Sequence, residues 1–229
     1  MNPRETFLAA CNQIGEGLTE FGFKASRAGQ TLKKTTTNKD ITFEIDFQSS
    51  SLNSTGSVKL LVHVMISSKR LKKWALEQND GEYGQGMIYA EQLGYLTPFK
   101  EWKSWNVSET VQERAVAEVI EMIRMYVLPI FDLFENSENA QQFLQLNGTK
   151  FNRYANKSLS PMAFMLCFAG KEASQEFFLN YLADATGKGL ILKLYHELEG
   201  GEKINLMHSE FAESVSVKLA FLNDLKTNI

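Results

Sequence analysis

The chain has 229 residues, of which 44% are hydrophobic and 22% charged, with 24 Lys and Arg set against 27 Asp and Glu for a formal net charge of −3. That balance is typical of soluble globular proteins and excludes intrinsic disorder, and the slight acidity disfavours a surface built to grip nucleic-acid phosphates. A chain this long buries roughly 70 to 75% of its unfolded surface, so it needs no disulfide or metal staple to fold.

At the N-terminus, Asn2, Pro3 and Glu5 have the order of an N-cap, a first-turn proline and the acidic partner of a capping box. Phe7, Cys11, Ile14, Leu18 and Phe21 then recur at helical spacing, and Gly22 is placed to end that helix in a left-handed conformation. Phe23 to Ala28 reads as a connection. Gln30 to Thr36 reads as a first strand, joined through Asn38 and Lys39 in a two-residue turn to a second, where Ile41, Phe43, Ile45 and Phe47 alternate with polar residues. That register sets Leu32 opposite Ile45 and Lys33 opposite Glu44. A third strand follows, with Val58, Leu60, Val62, Val64 and Ile66 on one face; pairing Phe47 with Leu60 keeps apolar opposite apolar, and so does a slip of two residues.

Ser67 to Gly86 reads as a loop with one short helical turn, broken by Asn79, Asp80 and Gly81. Met87 to Leu96 and the segment around Trp102, Trp105 and Val107 supply further extended pieces, for a sheet of five strands. From Ser108, taken as N-cap, Val111, Ala115, Val119, Met122, Ile123, Tyr126 and Val127 predict a long helix that Pro129 ends or kinks near Leu128. Helices are expected from Ser137 to Gly148, from Met162 to Ala169 with Gly170 as a stop, and over 172–185, 190–198 and 210–225. The fold expected is therefore α+β: an antiparallel meander packed against an N-terminal helix and a long central helix. Residues 1–148 would form this domain, and residues 149–229 an all-helical extension packed on it.

The run Phe21-Gly22-Phe23-Lys24, the strand ending in Phe47-Gln48-Ser49-Ser50, the Trp102 to Trp105 segment and the Leu128-Pro129 pair resemble a bacterial family, the domain-of-unknown-function family numbered 4304. The resemblance covers about residues 1 to 145. It implies the fold and a bacterial source, and it brings no catalytic residues with it.

The residues with chemical potential are few. Glu44, Asp46 and His63 share the polar side of the meander, where a carboxylate could orient an imidazole for general-base work in a hydrolase or ligand-modifying enzyme. Plain cross-strand pairing with Lys33 and Lys59 is the simpler expectation. Arg70 and Trp74 sit in a basic run that could grip a phosphate backbone or an acidic partner, against the simpler reading of a solvated segment. Trp102 and Trp105 could anchor a protein interface or stack on the ligand of a small-molecule sensor, against the simpler reading of core packing under the long helix. His63, His196 and His208 lack metal-ligand spacing, and Thr186-Gly187-Lys188-Gly189 lacks the Walker spacing and reads as a helix end and loop. No metal or cofactor is expected. Cys11 and Cys167 lie in apolar helical patterns and read as reduced thiols. Without a run of about eighteen apolar residues or a secretory leader, the expectation is a cytoplasmic protein with no membrane span. The function expected is a non-enzymatic protein-binding module, one form of which is the neutralising partner of a bacterial toxin. Nucleic acid is the disfavoured partner.

Overall fold

The computed structural model describes residues 2–78 and 86–227. Its contacts divide the chain into two units, Met1–Ile66 with Ala90–Glu135 and Ser67–Tyr89 with Asn136–Ile229.

The first unit opens with α1, Pro3–Gly17, held by the expected capping box: Glu5 N–H donates to Asn2 Oδ1 at 2.9 Å and Asn2 N–H to Glu5 Oε2 at 3.1 Å. The helix stops at Gly17, and Gly22, at φ 84°, instead ends a separate 3-10 turn over Thr19–Phe21. The segment expected as a connection holds a strand, β1, Lys24–Ser26. Strands β2, Thr31–Thr35, and β3, Ile41–Ser49, pair in the expected register, Leu32 opposite Ile45 and Lys33 opposite Glu44. The turn between them is longer than two residues. Thr36 N–H donates to the Ile41 carbonyl, Lys39 N–H to the Thr36 carbonyl, and Lys39 takes a left-handed φ of 58° while Asn38 Oδ1 accepts from Asp40 N–H.

In β4, Lys59–Ser68, Leu60, Val62, Val64 and Ile66 are buried in strict alternation, matching Ile41, Phe43, Ile45 and Phe47 of β3. Where this hairpin opens into its loop, Ser50 N–H donates to the Lys59 carbonyl at 3.4 Å. The pairing of Phe47 with Leu60 and the slip of two residues both bury these faces. With β5, Met87–Gln92, and β6, Trp105–Asn106, the antiparallel sheet has six strands among the described residues where five were expected, in the order β1-β2-β3-β4-β5 with β6 set against the start of β4. The chain leaves the first unit within β4 and re-enters it within β5.

Helix α2, Lys69–Glu77, belongs to the second unit. Helix α3, Gln112–Tyr126, starts four residues after Ser108 and has no side-chain cap; Ser108 N–H instead donates to Asn106 Oδ1, and the Ser108 carbonyl accepts from Val111 N–H. Its buried side is Ala115, Val116, Val119 and Ile123, and it packs on α1. Pro129 lacks the donor an unbroken helix needs, so the chain restarts as α4, Leu128–Phe134. Phe131 of α4 lies 4.9 Å from Phe43 and 6.0 Å from Phe23, ring centre to ring centre, while Gly15 of α1 comes up against Leu32. The helices thus cover the apolar face of the sheet.

In the second unit α2 is a nine-residue helix where a loop with one turn was expected, capped by Ser68, whose Oγ accepts from Leu71 N–H at 3.0 Å. The expected breakers Asn79, Asp80 and Gly81 lie outside the described residues. Helices α5, Ser137–Asn147, α6, Met162–Phe168, α7, Gly170–Asp184, α8, Lys188–Glu199, and α9, Ser214–Leu222, follow. Helices α5, α6 and α7 pack together, α8 packs on α9, and α2 and α9 each contact α6. Helix α5 therefore groups with the C-terminal helices and not with residues 1–135. Gly187 precedes α8, so the Thr186 to Gly189 string opens a helix. No helix among the described residues is long and apolar enough to cross a membrane.

Candidate functional site

Because the apolar rows of β3 and β4 are buried, their alternate residues share the opposite face of the sheet. Glu44, Asp46 and His63 all lie there, but each has its own surroundings. Glu44 is held by Lys33 at 2.9 Å, and Asp46 accepts from the buried Thr31 hydroxyl at 2.7 Å. Among the described residues no hydrogen bond reaches the enclosed His63 Nε2. Burial lowers the His63 pKa below the ordinary imidazole value, with the nearby charge of Asp46 opposing it. The imidazole is therefore favoured neutral.

What covers His63 is Trp102, its ring centre 5.4 Å away and inclined at 60°. Trp102 itself is 56% exposed. Its loop is fixed by a residue absent from the sequence reading, Gln92. The side-chain Nε2 of Gln92 donates to the Lys103 carbonyl at 2.5 Å, and Oε1 accepts from Gly94 N–H at 2.8 Å and Lys103 N–H at 3.2 Å. Gly94 is required here, because a Cβ would fall 2.2 Å from the Glu101 carbonyl oxygen. No motif marks Gln92; only a buried amide at a strand end betrays it.

Trp105 is placed otherwise. It pairs opposite Leu60, shares the apolar face, is 3% exposed, and donates from Nε1 to Glu118 Oε1 at 3.0 Å. It borders a cavity of about 290 Å³ with Lys103, Arg114 and Glu118. The two tryptophans therefore serve different faces and do not form one cage.

Arg70 and Trp74 belong to the second unit. The Arg70 guanidinium lies 4.3 Å over the Phe168 ring and donates to the Cys167 carbonyl at 3.0 Å, and Trp74 is half-buried on α2. A cavity of about 640 Å³ in this unit is bordered by Lys157, Tyr181, Asp184, Leu190, Phe211 and Glu213. Burial raises Glu213 and pushes Tyr181 up to about 12, but Glu213 already accepts from Leu159 N–H at 2.9 Å, and Lys157 is paired with Asp184. His196 and His208 each face a glutamate on the surface, at 3.0 and 3.9 Å. Among the described residues no group of three His, Cys, Asp or Glu side chains is placed to hold a metal ion. Cys11 is buried, its thiol pushed up to about 12 by burial, and neither it nor the half-buried Cys167 is joined in a disulfide among the described residues.

The first unit is thus an α+β domain with helices on one sheet face and, on the other, a half-exposed polar face that carries one projecting tryptophan. A family model described as a domain of unknown function, DUF4304, matches residues 14–133, and the chain belongs to that family. No curated protein and no solved structure matches the chain.

Proposed function

We propose that this chain is a non-enzymatic protein-binding module, acting in the bacterial cytoplasm, and that its partner is received on the sheet face carrying Trp102. The observation that carries the reading is Trp102, a large aromatic side chain held 56% exposed by a loop that Gln92 makes rigid. Trp supplies much contact area for little lost rotamer freedom and is enriched among residues that dominate binding energy. Neither Cys11 nor Cys167 is joined in a disulfide among the described residues, which suits a reducing compartment. Neutralisation of a toxin is the particular form we propose, supported by the net charge of −3, which speeds encounter with a basic target.

Catalysis by Glu44, Asp46 and His63 is the less favoured reading, since the two carboxylates are engaged by Lys33 and Thr31 and the imidazole is capped by Trp102. The test is affinity capture from native lysate at physiological salt with the wild-type chain and with Trp102→Ala. One protein recovered in equimolar amount by the former and lost by the latter is expected. Recovery of the bait alone, or of the same protein by both, overturns the reading.

A further inference from the structure

Residues 69–73 read Lys-Arg-Leu-Lys-Lys, and α2 turns the apolar member inward. Leu71 and Ala75 are buried one turn apart, whereas Lys69, Arg70, Lys72 and Lys73 are exposed. Lys69 and Arg70 stand in the first turn, where aligned peptide dipoles already present positive charge and an acidic side chain would be the stabilising choice. That turn has no acidic residue. Arg70 is committed to Cys167 and Phe168. Among the described residues no ion pair reaches Lys69, Lys72 or Lys73, not even from Glu77, four residues after Lys73. A local concentration of positive charge is therefore maintained at a cost to the helix in a chain whose net charge is −3.

We infer that this face of α2 docks an acidic segment of a partner protein. Lysine ammonium groups pair with carboxylates as point charges, without the planar fit that arginine imposes, so three of them tolerate an irregular acidic peptide. The apolar positions face inward and leave Leu76 as the exposed aliphatic side chain of the helix, too little to insert into a lipid surface. A long polyanion such as nucleic acid would extend beyond the patch and meet the net negative remainder of the chain, whereas a short acidic segment meets only the lysines. The inference rests on the reading of the chain as a protein-binding module but uses a surface other than that of Trp102, so the two fail separately.

The test is fluorescence anisotropy with a fluorescein-labelled peptide of ten glutamates, titrated with the full chain at about 50 mM and about 200 mM salt. Binding at the lower salt that weakens at the higher is expected. Lys69→Glu with Lys73→Glu should weaken it by about tenfold or more, while the charge-matched pair Lys193→Glu with Lys203→Glu and the single change Trp102→Ala should leave it within about twofold. Circular dichroism establishes that each variant is folded. Absence of binding at low salt, equal weakening by both double variants, or tighter binding of a ten-nucleotide single strand or of anionic vesicles than of the peptide overturns the inference.

Discussion

Replacing Gln92 with alanine should destabilise the first unit and loosen Trp102 at the same time. The truncation removes three hydrogen bonds, one donated to the Lys103 carbonyl and two accepted from Gly94 and Lys103. At a net value of about 1 kcal/mol each, the loss is about 3 kcal/mol, with the partly buried backbone groups left unpaired pushing it upward. For a chain of this size each kcal/mol shifts the melting temperature by about 2 to 4 °C, so a fall of about 6 to 12 °C is expected. Urea unfolding followed by far-ultraviolet circular dichroism measures the stability. Acrylamide quenching of tryptophan fluorescence, with Trp102→Phe as reference, reports the loop. Quenching of the Trp102 component should rise in Gln92→Ala under conditions where the chain remains folded. A stability loss under about 1 kcal/mol, or a full loss with Trp102 quenching unchanged, would refute the argument that this amide sets the loop.

Phe131→Ala removes a side chain that is 2% exposed and bridges Phe43 and Phe23, and should cost about 3 to 5 kcal/mol in urea unfolding. Ser68→Ala deletes the cap of α2 and should cost about 1 kcal/mol, with Ser68→Asp retaining most of it. His63 carries a pH dependence whose sign is fixed by burial. Its folded pKa lies below the usual 6.5, so just under that value the unfolded chain binds a proton that the folded chain refuses. The contribution of His63 to stability is therefore intact above the unfolded pKa, diminishes as pH falls through 6.5, and levels off below the folded pKa. Urea midpoints for wild type and His63→Gln across this range should diverge in slope, and parallel slopes would contradict the assignment.

The meander was legible because burial on one face forces a period of two, and that period survives in any surroundings. Leu32 opposite Ile45 and Lys33 opposite Glu44 followed from it directly. What escaped were elements whose form depends on distant partners. Strand β1, at three residues, is too short to show alternation, and it exists because β2 offers Lys33, Leu32 and Thr31 to pair with. Helix α2 buries only Leu71 and Ala75, so its four exposed cations hid the helical period. The start of α3 was misplaced because Gln112, and not a serine cap, ties that end down, its Nε2 donating to the Thr6 and Val107 carbonyls. Likewise, nothing local in Ser137–Asn147 reveals that α5 packs with α6 and α7.

The candidate site shows the same limit more sharply. Trp102 and Trp105 are chemically identical and three residues apart, but strand β6 holds only the second of them, so no alternation along an extended chain could have told the exposed tryptophan from the one buried against Glu118. The partner of Trp102 could not be read either, because His63 lies on β4 and Trp102 on a loop held by Gln92. The pairing then changes the meaning of His63. An imidazole offered to solvent beside Asp46 would suit proton transfer, whereas one enclosed under an indole, with burial holding it neutral, serves to support the aromatic surface above it. On that argument the chemistry of this face belongs to the indole it presents, and substitutions at His63 should affect binding through the position of Trp102.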